Sequence, residues 1–204
     1  MNEFIKTWLD KRNRIVVFAG VFDPVHRGHL SAAKSALKHG KKVIFFPERK
    51  PQHKHGMTPY EHRFQMLRLA CEAEPKFEVA DYPEDQQFIE PFFKWLGKTY
   101  TQENFVWLVG SDVVGKISAW PGADKLKKLR VKSVIYLNRK DNERVGVILI
   151  ADGLGGIPIN RTRRWRTVST NSKMSSSNIR DDFKKYRSSV LPEIADYAVK
   201  NKLY

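Results

Sequence analysis

Two histidines three residues apart, His26 and His29, stand in the run Gly20-Val21-Phe22-Asp23-Pro24-Val25-His26-Arg27-Gly28-His29. An imidazole has an unperturbed pKa of about 6.5, and a bound polyphosphate would raise it. The pair would then be cations aimed at charge that develops in phosphoryl chemistry. Two alternatives stay open: a metal-ligating pair, or two surface histidines in a loop. Pro24 and Gly28 keep the pair off one regular helix face, which weakens the metal reading.

Such residues need an element to deliver them and another to receive them. The chain alternates short β-branched apolar runs with segments of helical period. Strands are predicted at 14–19, 42–46, 76–80, 104–109, 132–137 and 145–150, several of them almost continuously apolar, as expected of strands covered on both faces. Helices are predicted at 29–39, 59–74, 86–100 (bent or started late by Pro91) and 123–129, then 177–187 and 190–202 around the Leu191-Pro192 break. This order implies an α/β fold: a Rossmann-like, doubly wound, mostly parallel sheet with C-terminal helices. In such sheets ligands sit beyond the carboxyl ends of the strands. Gly20 is expected to supply the tight turn after the first strand. The next helix, starting near Gly28, would then present its N–H groups to an anion.

The 204 residues fit one domain, with a helical extension at 1–13, a loop or insertion at 151–168 and helices closing 177–204. A hydrophobic content of 41% supports a packed core and excludes wholesale disorder. One cysteine, Cys71, cannot form an internal disulfide, and its place in an apolar helical stripe reads as core. No signal peptide or membrane span is expected, and a cytoplasmic location follows. Net charge is +15, of which residues 121–204 carry +11. That field favours polyanions: nucleotides, nucleic acid or an anionic surface.

Gly-x-Phe-Asp-Pro-x-His-x-Gly-His resembles the first signature of the HIGH-type nucleotidyltransferases. Phe-Asp-Pro resembles in particular the nicotinate/nicotinamide-mononucleotide adenylyltransferases of the bacterial nicotinate-nucleotide type. Val21 departs from the pattern, standing where the family has a second small turn residue. Further matches follow in order. Pro51-Gln52-His53-Lys54 is similar to the loop whose lysine reaches the nucleotide phosphates, and Arg63 falls at the family's constant arginine. Gly110-Ser111-Asp112 is similar to its Gly-x-Asp, where a carboxylate accepts from ribose or caps the next helix. Trp120 falls where the family stacks a tryptophan on the pyridine ring; by itself it also reads as a half-buried packing residue. Met174-Ser175-Ser176-Ser177-Asn178-Ile179-Arg180 is close to its second signature, and the ending Leu203-Tyr204 to its last residues.

The resemblance implies transfer of AMP from ATP to a pyridine mononucleotide, with Mg²⁺ entering alongside ATP. His26, His29, Lys54 and Arg180 are then the catalytic residues. Gly20, Val21, Phe22, Gly28, Gly110, Asp112, Ser176 and Ser177 bind ATP or its phosphates. Arg63 and Trp120 bind the mononucleotide. No protein metal site is implied, and Asp23 is read as holding the turn before any water-mediated metal contact. The same signatures would also serve an enzyme acting on phosphopantetheine or a polyol phosphate. The Arg161-Thr162-Arg163-Arg164-Trp165-Arg166 run gives a nucleic-acid-binding reading, which is not favoured.

Overall fold

A computed structural model describes residues 11–51, 56–83, 89–110, 116–126, 128–137, 144–149, 165–166 and 175–204. Among these residues seven strands form one sheet in the order β3-β2-β1-β4-β5-β6-β7. They are β1 (Arg14–Gly20), β2 (Lys42–Pro47), β3 (Phe77–Val79), β4 (Asn104–Gly110), β5 (Val131–Leu137), β6 (Arg144–Leu149) and β7 (Trp165–Arg166). The first five pair parallel; β6 and β7 are added antiparallel. The predicted alternation and the mostly parallel sheet are both present.

Alternate side chains of the central strands feed two separate cores. Val16 and Phe18 of β1, Val43 and Phe45 of β2, and Val106 and Leu108 of β4 pack on one face. Ile15, Val17, Ile44, Phe46, Phe105, Trp107 and Val109 pack on the other. Both faces are dry, which is why these strands read as continuous apolar runs. Each such side chain contributes about 1.5–3 kcal/mol by leaving water.

Helices cover the faces. α1 (Arg27–Ala36) buries Ala32, Ala33 and Ala36, and α2 (Tyr60–Glu72) buries Arg63, Met66, Leu67 and Ala70 at helical spacing. Cys71 packs beside that stripe, and burial pushes its thiol up to about 12, so it is a core residue and no nucleophile. α3 (Ile89–Thr99) has Pro91 in its first turn, where the missing N–H costs little. The short helix predicted at 123–129 is a 3₁₀ turn over Ala123–Lys125.

The helix predicted at 177–187 is two pieces, α4 (Ser176–Asp181) and α5 (Phe183–Tyr186). Asp182 breaks it: its backbone leaves the helical region, and its Oδ1 accepts the Lys185 N–H at 3.0 Å to start the second piece. α6 (Pro192–Lys200) follows, with proline in its first turn. Residues 165–166, placed by sequence in a loop, form β7 on the edge of β6. The rest of 151–168 and residues 1–10 lie outside the described residues.

Strand order reverses between β1 and β4, because the chain builds outward through β2 and β3 before crossing back. A crevice opens at such a switch point. The carboxyl ends of β1 and β4 flank it.

Candidate active site

The turn after β1 differs from expectation in which residue makes it. Gly20 does not adopt left-handed backbone; Phe22 does, with φ of 52°. A Cβ on Gly20 would lie 3.1 Å from the tip of the Phe22 ring. Gly20 is therefore small so that the ring can fold back over the strand end. There it meets Phe18, His29 and Phe45 at centroid distances of 5.2, 5.1 and 5.5 Å.

Packing of Phe22 brings the chain to His26 in extended backbone, as the N-cap of α1. His26 Nδ1 accepts the Gly28 N–H at 3.1 Å, and His29 Nδ1 accepts the His26 N–H at 3.3 Å. The two rings stack at 3.7 Å. This is a capping box built from imidazoles instead of Ser and Glu. A ring whose Nδ1 accepts a main-chain N–H has Nε2 as its remaining donor nitrogen. Turning either into a cation would put a proton on Nδ1 and displace the cap. Gly28 is needed too, since a Cβ there would come within 2.9 Å of His26 Cε1 and Nδ1.

Arg63, expected to bind the mononucleotide, is 1% exposed. Its Nε donates to the Thr58 carbonyl at 2.9 Å, its Nη1 to those of Val21 and Glu48 at 2.8 and 2.7 Å, and its Nη2 to that of Arg49 at 3.1 Å. Four of its five N–H groups thus hold main chain. Arg63 ties the loops after β1 and β2 to the start of α2, so its guanidinium holds the backbone of the site. Val21, expected near phosphate, carries one of those carbonyls.

The serine-rich motif meets the first turn, although 152 and 157 positions separate the bonded residues. Ser176 Oγ donates to the Pro24 carbonyl at 3.0 Å, and Arg180 Nη1 donates to the Asp23 carbonyl at 2.6 Å. Arg180 Nη2 also donates to Ser177 Oγ at 3.2 Å, which places the guanidinium and an exposed hydroxyl together. Ser175, not singled out above, is the N-cap of α4, its Oγ accepting from Asn178 N at 3.1 Å.

Asp23 is the hub of this contact. Its carboxylate is 1% exposed; Oδ2 accepts Thr58 N–H at 3.1 Å and lies 3.7 Å from Arg180 Nη1. Oδ1 accepts the Tyr204 hydroxyl at 2.7 Å. The turn-holding role is what the geometry supplies. Residue patterns alone did not reveal Tyr204 as part of the site; the only signal was its family-like position after Leu203.

Across the switch point, Gly110 ends β4, while Asp112 and Lys54 lie outside the described residues. Trp120 is half-buried, its ring 5.8 Å from that of Trp107. Beyond Trp107 the same face is aromatic. Phe93 is 5.8 Å from Trp107, Phe46 stacks on Phe92 at 3.7 Å, and Tyr82 sits 5.3 Å from Trp95. These rings are core packing under the sheet, and of this cluster Trp120, which is only half-buried, is the indole left part-exposed near the ends of the strands.

A family model for cytidylyltransferase-like proteins matches residues 17–182. A Carboxydothermus hydrogenoformans protein named "Probable nicotinate-nucleotide adenylyltransferase" is 29% identical over 94% of this chain and 98% of its own. A protein of the same name from Shouchella clausii is 36% identical over 57% of this chain and 64% of its own length. Among solved structures, Plasmodium falciparum nicotinic acid mononucleotide adenylyltransferase complexed with NaAD superposes with a TM-score of 0.65. It is 18% identical, with 95% of this chain and 98% of that one covered. That likeness is one of fold.

Proposed function

The chain belongs to the cytidylyltransferase-like family, and from that premise we propose that it transfers AMP from ATP to nicotinate mononucleotide, releasing pyrophosphate. The observation that carries this reading is the meeting of the two distant motifs: Arg180 on Asp23 and Ser176 on Pro24, beside the His26–His29 cap at the switch point. Relatives named for the same reaction, and aligned along nearly the whole chain, support it.

The chemistry asks little covalent work of the protein. The mononucleotide phosphate is largely ionised at pH 7, its second pKa being about 6, so its oxygen attacks the α-phosphorus of ATP without a general base. A new P–O bond forms and the bond to the β-phosphate oxygen breaks, with pyrophosphate leaving in line. The protein must hold two anions together and neutralise the charge that accumulates. His26 and His29 donate from Nε2 to phosphate oxygens, the Nδ1 caps fixing each ring's orientation. Arg180, with Ser177 beside it, faces the leaving phosphates, and Ser176 fixes the start of α4 to the first turn. Lys54 and Asp112 remain assigned by resemblance alone, to phosphate and ribose. Trp120, half-buried against Trp107, takes the pyridine ring.

Mg²⁺ would enter with ATP as part of the substrate and would offset phosphate charge there. Asp23, the carboxylate of the turn, faces inward and already takes a main-chain and a phenolic donor. This fits a metal carried by ATP better than one caged by protein.

A coupled assay with Mg-ATP and each pyridine mononucleotide tests the reading. Dinucleotide formed with a higher kcat/KM for nicotinate than for nicotinamide mononucleotide is expected. Product with neither, from folded protein, would overturn it. His29→Ala should lower kcat about 10²–10³-fold, the scale for one lost transition-state donor.

A further inference from the structure

Around Asp23, two hydrogen-bond donors and the Arg180 guanidinium at 3.7 Å meet one buried carboxylate, and of the two side chains among them Tyr204 is the one with no part in adenylyl transfer. Its approach is built with care. α6 ends in a Schellman turn: Leu203 N–H bonds the Ala198 carbonyl at 2.9 Å and Lys202 N–H bonds that of Val199 at 3.1 Å. The left-handed position in this turn ordinarily takes glycine; here it is Lys202, with φ of 52°. Tyr204 is left-handed as well, with φ of 69°. Non-glycine residues in that region carry strain, and such outliers persist where surrounding contacts over-determine them. The contacts are present: Leu203 packs on the core, and the Tyr204 ring lies 5.6 Å from Phe183. Burial, then the charge of Asp23, pushes the Tyr204 phenol well above its ordinary range, so it remains a donor at any neutral pH.

We propose that Tyr204 is a positioning residue for Arg180: its hydroxyl occupies Asp23 Oδ1 and so keeps the guanidinium on the Asp23 carbonyl and Ser177, turned toward phosphate. Arg180 Nη1 lies only 3.7 Å from Asp23 Oδ2. Remove the hydroxyl and a buried carboxylate oxygen loses its donor, a loss that carries a real penalty. The cation already beside it then swings onto the carboxylate and leaves Ser177. ATP affinity should suffer, whereas the pyridine side of the crevice is untouched.

The inference rests on the adenylyl-transfer reading, and the test separates the two. Tyr204→Phe keeps the ring and loses only the oxygen. Its KM for ATP should rise about tenfold, with the KM for the mononucleotide unchanged and the melting temperature lowered by only a few degrees. Lys202→Gly, which relaxes the left-handed backbone and keeps the hydroxyl, should leave both KM values at wild type. Calorimetric titration with Mg-ATP alone gives the same comparison without turnover, and the Kd of Tyr204→Phe should rise by the same factor. Wild type that binds ATP but makes no dinucleotide sinks the reaction, while a tenfold gap in Kd still supports the latch. Equal ATP constants for wild type and Tyr204→Phe overturn the latch whatever the reaction. A fall in melting temperature and active fraction with KM unmoved would show ordinary packing and overturn it too. Wild type that neither binds ATP nor turns over would overturn both.

Discussion

Gly28→Ala sets two effects of one methyl group against each other. Within a helix, alanine in place of glycine ordinarily stabilises by roughly 0.5–1 kcal/mol, because the unfolded chain has less freedom to lose. Here the added Cβ would lie 2.9 Å from both Cε1 and Nδ1 of His26, where an ordinary contact is 3.4–4 Å. The ring must therefore move by several tenths of an ångström. It has little room, since His26 is 6% exposed and its ring stacks 3.7 Å from that of His29. Moving it lengthens the Gly28 N–H bond to Nδ1, a cap worth about 1 kcal/mol. The two stability terms nearly cancel, so the melting temperature should change by no more than about 3 °C. Catalysis has no such compensation. Both Nε2 atoms shift together, and misplacement of this kind costs on the order of 10²-fold in kcat. The assay is initial-rate dinucleotide formation beside a thermal melt of the same preparation. Activity within twofold of wild type would refute the claim that the cap orients the histidines. A melting temperature lowered by 10 °C or more would show that Gly28 serves packing instead.

Arg63→Lys replaces a planar fork holding four carbonyls by a point charge with three donors, and should cost about 2–4 kcal/mol, or roughly 5–15 °C in melting temperature. An unchanged melt with a raised mononucleotide KM would restore Arg63 as a direct contact. Trp120→Ala should raise the mononucleotide KM about tenfold or more by loss of stacking, with Trp120→Phe recovering part of it; an unmoved KM would leave Trp120 as the packing partner of Trp107 only. Burial, then Arg14 and Lys38, hold the His39 imidazole below its ordinary 6.5. The unfolded chain thus takes up that proton first, so stability present above pH 6.5 falls as the pH drops through 6.5 toward the folded value. His39→Gln should flatten that part of the melting-temperature profile, and identical slopes would dispose of the linkage.

Much of this molecule was legible from residue order. Strand runs such as Ile15–Phe18 and Phe105–Val109 are apolar without a break because both faces of the sheet are covered, so a sequence pattern carried a three-dimensional fact. The histidine pair and the Ser175–Arg180 motif were visible as chemistry because their residue types are specific and their spacing local. Tertiary structure decided what each side chain does with its partners. Arg63 looks like a substrate cation in one dimension and is a buried clamp in three, since only the fold brings the carbonyls of Val21, Glu48, Arg49 and Thr58 around it. Which ring nitrogen of His26 and His29 is left to donate follows from a cap that depends on backbone direction at one turn. Tyr204 reaches Asp23 across 181 positions because α6 reverses through two left-handed residues. Periodicity and propensity act over a few residues, and a hydrogen bond acts over three ångströms regardless of distance along the chain. The elements were therefore written in the sequence, and the wiring of the site was settled by the fold.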